Sequence, residues 1–204
     1  MVSGILNRNM DNELFLAVTS DYKKNLKLTH HQEQVVLGSL LGRGMIISPP
    51  GNREGYLRLR QSRNEDINII VYKAMELKDF SRPKAFLEDK HSYCWNSISH
   101  TEWGKLHNFC YKNGKKEITM EWLDGLTQTA LAMYYLDVGE VKKGIMEFNM
   151  ARCASKELIC TFFNEVDCFC ELDKNKLKFT KEGTNNFIKI IDQSMPSYLL
   201  YRLS

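Results

Sequence analysis

No apolar run in the 204-residue chain approaches the ~18 residues that a membrane-spanning helix needs, so a helical membrane protein is excluded. The first thirty residues hold only the short apolar stretch LFLAV, flanked by acids rather than by a basic leader. No secretory signal is expected, and the chain reads as intracellular with no membrane partner. Six cysteines are present (Cys94, Cys110, Cys153, Cys160, Cys168, Cys170), but no Cys-x-x-Cys pair and no neighbouring His-x-x-x-His. Cys168 and Cys170 alternate along a strand-like stretch, and buried thiols are expected there rather than a zinc site. A Gly-rich phosphate loop, a Ser-His-Asp set and a Cys-His nucleophile pair are all missing. Charge of one sign is scarce too: the net charge is +3. The excess is uneven, because residues 30 to 112 hold twelve Lys/Arg against nine Asp/Glu and residues 113 to 204 hold twelve against thirteen. The first half is therefore the docking face expected for an anion.

What remains is a chain of ordinary globular composition, 43% hydrophobic and 26% charged, long enough for one large domain or two small ones. Two segments stand out, VLGSLLGRG at 36–44 and LAMYYLDVG at 131–139. Each reads as a short apolar helix running into a glycine with no polar turn after it. A helix apolar on nearly every face must be surrounded, and Gly38, Gly42, Ala130 and Ala132 would let two backbones approach closely, so the two helices are expected to pack on each other. Gly44 and Gly139 are expected to end the helices in a geometry other residues resist.

The first segment is followed by strand-like MIISPP, a turn at Gly51 and Asn52, the alternating GYLRLRQS, a helical stretch from Glu65 to Phe80, strand-like YCWNSIS and a helical run TEWGKLHNFCYKN. The second is followed by strand-like KKGIMEFNMAR, helical SKELICTFFNEV, a hairpin turning at Lys174 and Asn175, and helical EGTNNFIKIIDQS. With Gly44 and Gly139 as reference points the period is half the chain, which gives an α/β (α+β) protein of two pseudo-symmetric αββαββα units at 30–112 and 113–204, behind an N-terminal extension at 1–29.

These residues resemble the monomeric two-repeat LAGLIDADG homing endonucleases. The resemblance rests on Leu41-Gly42 with Gly44, Asn113-Gly114-Lys115-Lys116, Ile118, Leu126-Thr127, Ala130-Leu131-Ala132, Asp137, Gly139, Pro196-Ser197 and Tyr201-Arg202-Leu203, in order and spacing over roughly residues 30 to 204. It implies two repeats forming a saddle over duplex DNA, a helix seam built on Gly38, Gly42, Gly44, Ala132 and Gly139, and a monomer. It also implies an aspartate just before each terminal glycine, the pair holding the divalent metals that cut DNA. Here Arg43 and Val138 occupy those places, and Thr119 and Gln128 replace prolines. Valine supplies no oxygen ligand. An arginine ~4 Å from a divalent ion opposes it by ~8 kcal/mol at an effective dielectric of 20. Of the nearby acids, Asp137 is rotated ~100° around the helix from the expected position and should miss the seam. Nuclease chemistry is accordingly expected to be lost, with no cofactor required; magnesium would enter only if residual cleavage survived.

Arg43 is then expected to clamp the phosphates that metals would have neutralised. In GYLRLRQS, period two sends Leu57 and Leu59 into the core and leaves Tyr56, Arg58, Arg60 and Ser62 on the opposite face, a row suited to the major groove. In the second repeat the same alternation exposes Glu147 and Asn149; Asn can read adenine, whereas Glu repels phosphate, so this half should bind less well. The resemblance brings a lysine of the Lys115-Lys116 pair toward the phosphates, although a Lys-Lys turn after Asn-Gly is also a common solvated loop. Trp95, Trp103 and Trp122 are expected to pack rather than to stack on bases. The expected function is site-specific binding of double-stranded DNA without cleavage, as in a transcriptional regulator. Structured RNA bound in the manner of a maturase, a surviving metal-dependent nuclease and a protein-interaction module stay open as alternatives.

Overall fold

The computed structural model describes Lys23 and residues 25–48, 54–62, 66–88 and 90–203. The turn expected at Gly51 and Asn52 and most of the segment 1–29 lie outside the described residues. Helix α1 (His30–Leu41) starts at Thr29, whose hydroxyl accepts from the Gln32 N–H while the Gln32 side chain accepts from the Thr29 N–H. This reciprocal cap satisfies two backbone donors that a helix start otherwise leaves open. An antiparallel sheet follows, built from β1 (Met45–Ile47), β2 (Tyr56–Ser62), β3 (Ser81–Glu88) and β4 (Ser92–Ser97) in the order β1-β2-β4-β3. Helices α2 (Ile67–Glu76) and α3 (Thr101–Cys110) pack against it.

A hairpin of β5 (Tyr111–Lys112) and β6 (Lys115–Lys116) and the short α4 (Met120–Asp124) lead to α5 (Gln128–Val138). The pattern then repeats. Strands β7 (Gly139–Lys142), β8 (Ile145–Asn149), β9 (Cys170–Asp173) and β10 (Lys176–Phe179) form a second antiparallel sheet in the order β7-β8-β10-β9, backed by α6 (Lys156–Glu165) and α7 (Lys181–Ile191). Both halves therefore show the order αββαββα with the same strand sequence across the sheet. Short 3₁₀ turns at Lys78–Phe80, Asp192–Ser194 and Ser197–Leu203 complete the described chain.

Helices α1 and α5 pack on each other between the sheets. Every residue from Gln34 to Leu41 and from Ala130 to Asp137 is buried, as an all-round apolar pattern requires. Their approach is limited by Gly38: a Cβ there would lie 2.0 Å from the Ala130 carbonyl oxygen. The register is fixed by Gln34 of α1, whose amide oxygen accepts from both the N–H (2.8 Å) and the hydroxyl (3.1 Å) of Thr127 at the start of α5, while its NH₂ donates to Gly125 O (3.0 Å). One helix thus caps the other.

The cores differ in kind. Leu57, Leu59 and Trp95 from the first sheet meet Ile69, Ile70, Phe80 and Trp103. In the second half Phe148, Phe163, Phe179 and Phe187 form a closed ring cluster with centroids 5.0 to 5.6 Å apart, each such pair adding ~0.5–1.5 kcal/mol beyond area burial. All three tryptophans are buried, as read from the sequence. Cys110 and Cys168 are buried, and the Cys170 sulfur lies 3.9 Å from that of Cys160.

Four sequence expectations need correcting. Strand β3 went unseen because Pro83 interrupts it and the alternation fails; it is an edge strand, where a missing N–H is tolerated, and its register slips between Ser81 and Phe86 with Lys84 at φ 54°. The single strand drawn over 142–152 is a hairpin, β7–β8, turning through Lys143 (φ 54°) and Gly144 (φ 75°). The helix drawn to Asn113 stops at Cys110, because Asn113 (φ 52°) and Gly114 (φ 72°) make the tight turn of the β5–β6 hairpin. Lastly, α1 ends at Leu41 with Gly42 as its cap, so Gly44 lies beyond it. Gly139 does end α5, but with an ordinary extended backbone (φ −90°); glycine is needed there because a Cβ would lie 2.2 Å from Tyr135 Cδ2.

Candidate nucleic-acid interface

Strand β2 divides its side chains as its alternation dictates. Leu57, Leu59 and Gln61 are buried, Tyr56, Arg58 and Ser62 are half-buried, and Arg60 is exposed. The arginines rest on the neighbouring strand. Arg58 pairs in register with Asn96, and its Nε donates to Asn96 Oδ1 at 2.8 Å; its Nη2 donates to the Tyr56 hydroxyl at 3.2 Å, with Cζ 5.6 Å from the Tyr56 ring centre. Arg60 Nε donates to Ser92 Oγ at 3.0 Å.

Beside this face a groove of about 820 Å³ runs across the ends of α1 and α5. Arg43, Arg60, Lys116 and Arg152 supply its cations, and Ser62, His91, Val138 and Asn149 contribute to its walls. Among the described residues lining it there is no carboxylate. Arg43 and Val138, the two positions where the family resemblance calls for aspartate, are thus brought together on one floor, both half-buried.

Asp137 overturns its expectation. The carboxylate sits at the seam, buried, with Oδ2 accepting from the Arg43 N–H at 3.1 Å and Oδ1 bonded to Lys73 Nζ at 2.6 Å. A Cβ on Gly42 would lie 2.4 Å from Asp137 Oδ2. Asp137 reaches the seam because α1 stops at Leu41: the turn through Gly42 and Arg43 crosses the end of α5 on the Asp137 side. Lys73 also donates to Met133 O at 3.0 Å. Burial pushes the Lys73 ammonium below its ordinary value, the Asp137 charge pulls it back up, and Arg43 adds to the lowering. The sequence did carry a sign of this pair. Lys73 lies on the stripe Ile69, Ile70, Ala74, where a lysine needs a buried partner.

Lys116 and Lys115 separate. The Lys116 ammonium donates to Leu40 O and, at 3.0 Å, to Gly44 O, so it closes the carbonyl end of α1 while still lining the groove. Burial lowers its pKa and the neighbouring Asp137 charge raises it. Lys115 projects into solvent from the hairpin. Asn149 is exposed at the end of β8, as the alternation required, and its side chain accepts from the Ala151 N–H.

The second sheet presents a different surface. Lys142 bonds Glu140, Lys176 bonds Glu147 and Lys178 bonds Asp173, each at 2.6 Å. The Lys176 hydrogen bond holds the Glu147 carboxyl below its ordinary range. Lys142, Lys176 and Lys178 are thus neutralised within the protein, whereas Arg58 rests on Asn96 and the Tyr56 hydroxyl. Ser92, His91, Asn96 and Arg152 were not singled out from sequence; they lie on strands or turns whose alternation was either unread or too short to assign a face.

The site does not suit a divalent metal. At the seam Arg43 brings a positive charge, Val138 no ligand, and both oxygens of Asp137 are engaged. Among the described residues no group of three His, Cys, Asp or Glu side chains could hold a metal ion, and no helix is long and apolar enough to cross a membrane.

No curated protein matches the sequence. Among solved structures, the fold is similar to that of the homing endonuclease I-WcaI bound to its DNA recognition sequence, with a TM-score of 0.77 and 18% identity over 98% of this chain and 96% of that one. Mesophilic variants of the homing endonuclease I-DmoI match with a TM-score of 0.52 and 15% identity over 82% of this chain and 98% of theirs. I-DmoI in complex with DNA and Mn matches at 0.50 and 15% over 82% and 99%. The model of the LAGLIDADG DNA endonuclease family matches residues 33–197. Since that match runs through both glycine-ended helices and both sheets, the chain belongs to the LAGLIDADG DNA endonuclease family.

Proposed function

We propose that the protein binds double-stranded DNA at a specific site without cutting it, as a transcription regulator does, and that it does so as a monomer, with residues 30–112 and 113–204 as its two repeats. The observation that carries this reading is the groove at the helix ends, where Arg43, Arg60, Lys116 and Arg152 gather and no described carboxylate lines the wall. A polyanion is attracted to such a surface, and Arg43 and Val138 offer a hydrolytic ion no oxygen ligand at the two positions they occupy. In this reading Arg43 and Lys116 contact phosphates in place of metal, Tyr56, Arg58, Arg60 and Ser62 approach base edges, and Lys115 and Asn149 add contacts at the margin.

The test is selection of bound duplex from a random pool at near-physiological salt. The retained sequence is then incubated with magnesium or manganese. Recovery of a consensus that stays intact is the expected result. Cleavage that disappears in chelator would overturn the loss of nuclease activity. Preference for structured RNA over every duplex, or no retention at all, would overturn DNA as the ligand.

A further inference from the structure

The guanidinium of Arg58 has two edges that can each donate a pair of parallel hydrogen bonds: the long edge Nε–Nη2 and the end Nη1–Nη2. The long edge is engaged inside the protein. Nε donates to Asn96 Oδ1 and Nη2 to the Tyr56 hydroxyl, while the Tyr56 ring flanks the guanidinium. Nη1 and the second Nη2 hydrogen make no hydrogen bond among the described residues. The arginine is therefore held by one edge, with the other directed away from its supports.

Asn96 supports this assignment from beneath. It is fully buried on the sheet, directly opposite Arg58 in register, and its Nδ2 has no hydrogen-bond partner among the described residues. Because Arg58 Nε can only donate, the amide orientation is fixed with Oδ1 toward it. A buried amide with its donor unsatisfied is uncommon, and the side-chain hydrogen bond that Asn96 does make goes to Arg58. A structural role at this point in the strand would be served better by an apolar residue of similar size. Holding Arg58 is the role that accounts for an amide.

We propose that Tyr56, Arg58 and Asn96 form a reader for one guanine, in which Asn96 and Tyr56 hold the long edge of the guanidinium so that its end meets O6 and N7 in the major groove. This rests on the DNA-binding reading above. Guanine is selected because its major-groove edge is the one that offers two adjacent acceptors; adenine, cytosine and thymine each offer at most one acceptor beside a donor or a methyl group. Asn96 touches no base, and Tyr56 acts on this guanine through Arg58, so both are positioning residues for this contact. Their contribution is to reduce the rotamer freedom Arg58 would otherwise lose on binding.

The experiment uses the full chain and the duplex selected from the random pool. Each guanine in the consensus is replaced singly by 7-deazaguanine, which removes N7 and leaves Watson–Crick pairing intact. For the wild-type protein one position is expected to lose about two- to tenfold in affinity, roughly half the worth of a bidentate pair, because O6 remains. Arg58→Ala is expected to abolish the sensitivity at that position alone. Asn96→Ala is expected to lower it severalfold more than it lowers affinity for scrambled duplex, and Asn96→Asp, which keeps the acceptor, is expected to retain it. A consensus in which no 7-deazaguanine effect depends on Arg58 overturns the reader while leaving DNA binding intact. Retention of the full effect in both Asn96→Ala and Tyr56→Phe overturns the positioning roles. Absence of any duplex binding by the wild type counts instead against the DNA-binding function. The 7-deazaguanine scan needs no variant, so the guanine contact remains testable if a substitution prevents folding.

Discussion

Lys73 Nζ and Asp137 Oδ1 are 2.6 Å apart with 2% and 5% of their side chains exposed, joining α2 of the first half to the end of α5 in the second. Two buried charges hold each other in place here, and neither has access to water as a substitute partner. Removing one should leave the other uncompensated and cost about 3–5 kcal/mol, whereas replacing both with apolar groups should restore most of the loss. Urea unfolding of Lys73→Met, Asp137→Leu and the double variant measures the coupling. Single-variant losses below about 1 kcal/mol would show that the pair is solvated.

Gly38 sets the spacing of the seam. A Cβ at this position would lie within 2.0 to 2.7 Å of Ala130 backbone atoms, which cannot rotate away. Gly38→Ala should lower the denaturation midpoint severely or prevent folding, by more than the ~1–3 kcal/mol usual for overpacking a core. Gly114→Ala is the comparison, since nothing lies near its added methyl and the penalty comes from φ +72° alone. Equal losses in the two variants would mean that α1 and α5 are not held at this distance.

If the seam excludes metal through its side chains, then Arg43→Asp combined with Val138→Asp should create a site. Manganese at a hundred times its Kd contributes ~2.7 kcal/mol to a protein that binds it in the folded state, a rise of roughly 5–10 °C in a chain of this size. Thermal melts with and without manganese should show that rise for the double variant and none for the wild type. An equal rise in both would indicate a metal site in the natural sequence.

Charge neutralisation on the second sheet makes a directional prediction. Glu147→Gln with Asp173→Asn releases Lys176 and Lys178 from their 2.6 Å partners. Each released cation that reaches a phosphate adds ~0.9 to the slope of log affinity against log salt. The variant should bind DNA more tightly and with a steeper slope, by up to ~2 units. Replacing Arg43, a phosphate contact in the proposed function, with alanine should flatten it by ~0.9. A released variant that binds no more tightly would place this sheet away from DNA.

The repeat, the helix pair and the faces of β2 and β8 could be read from sequence because each follows from spacing: glycines half a chain apart, apolar residues on every helix face, alternation at period two. Strand β3 was hidden because an edge strand tolerates a proline and a slipped register that a central strand would not. The Asp137 position does not follow from helical rotation relative to Val138 alone. Where a side chain lies at a helix end depends on where the partner helix stops, and α1 stops three residues before Gly44. Asn96 had no local signature, since its role comes from a cross-strand neighbour 38 residues away.

Both sheets share one strand order, yet on one Arg58 rests on Asn96 and Tyr56 and the other displays closed ion pairs. Identical subunits related by a two-fold axis are suited to palindromic sites, because each copy must find the same letters. A single polypeptide whose halves have diverged has no such obligation. Its preferred site would read differently in the two directions, and the protein would sit on it with a fixed polarity.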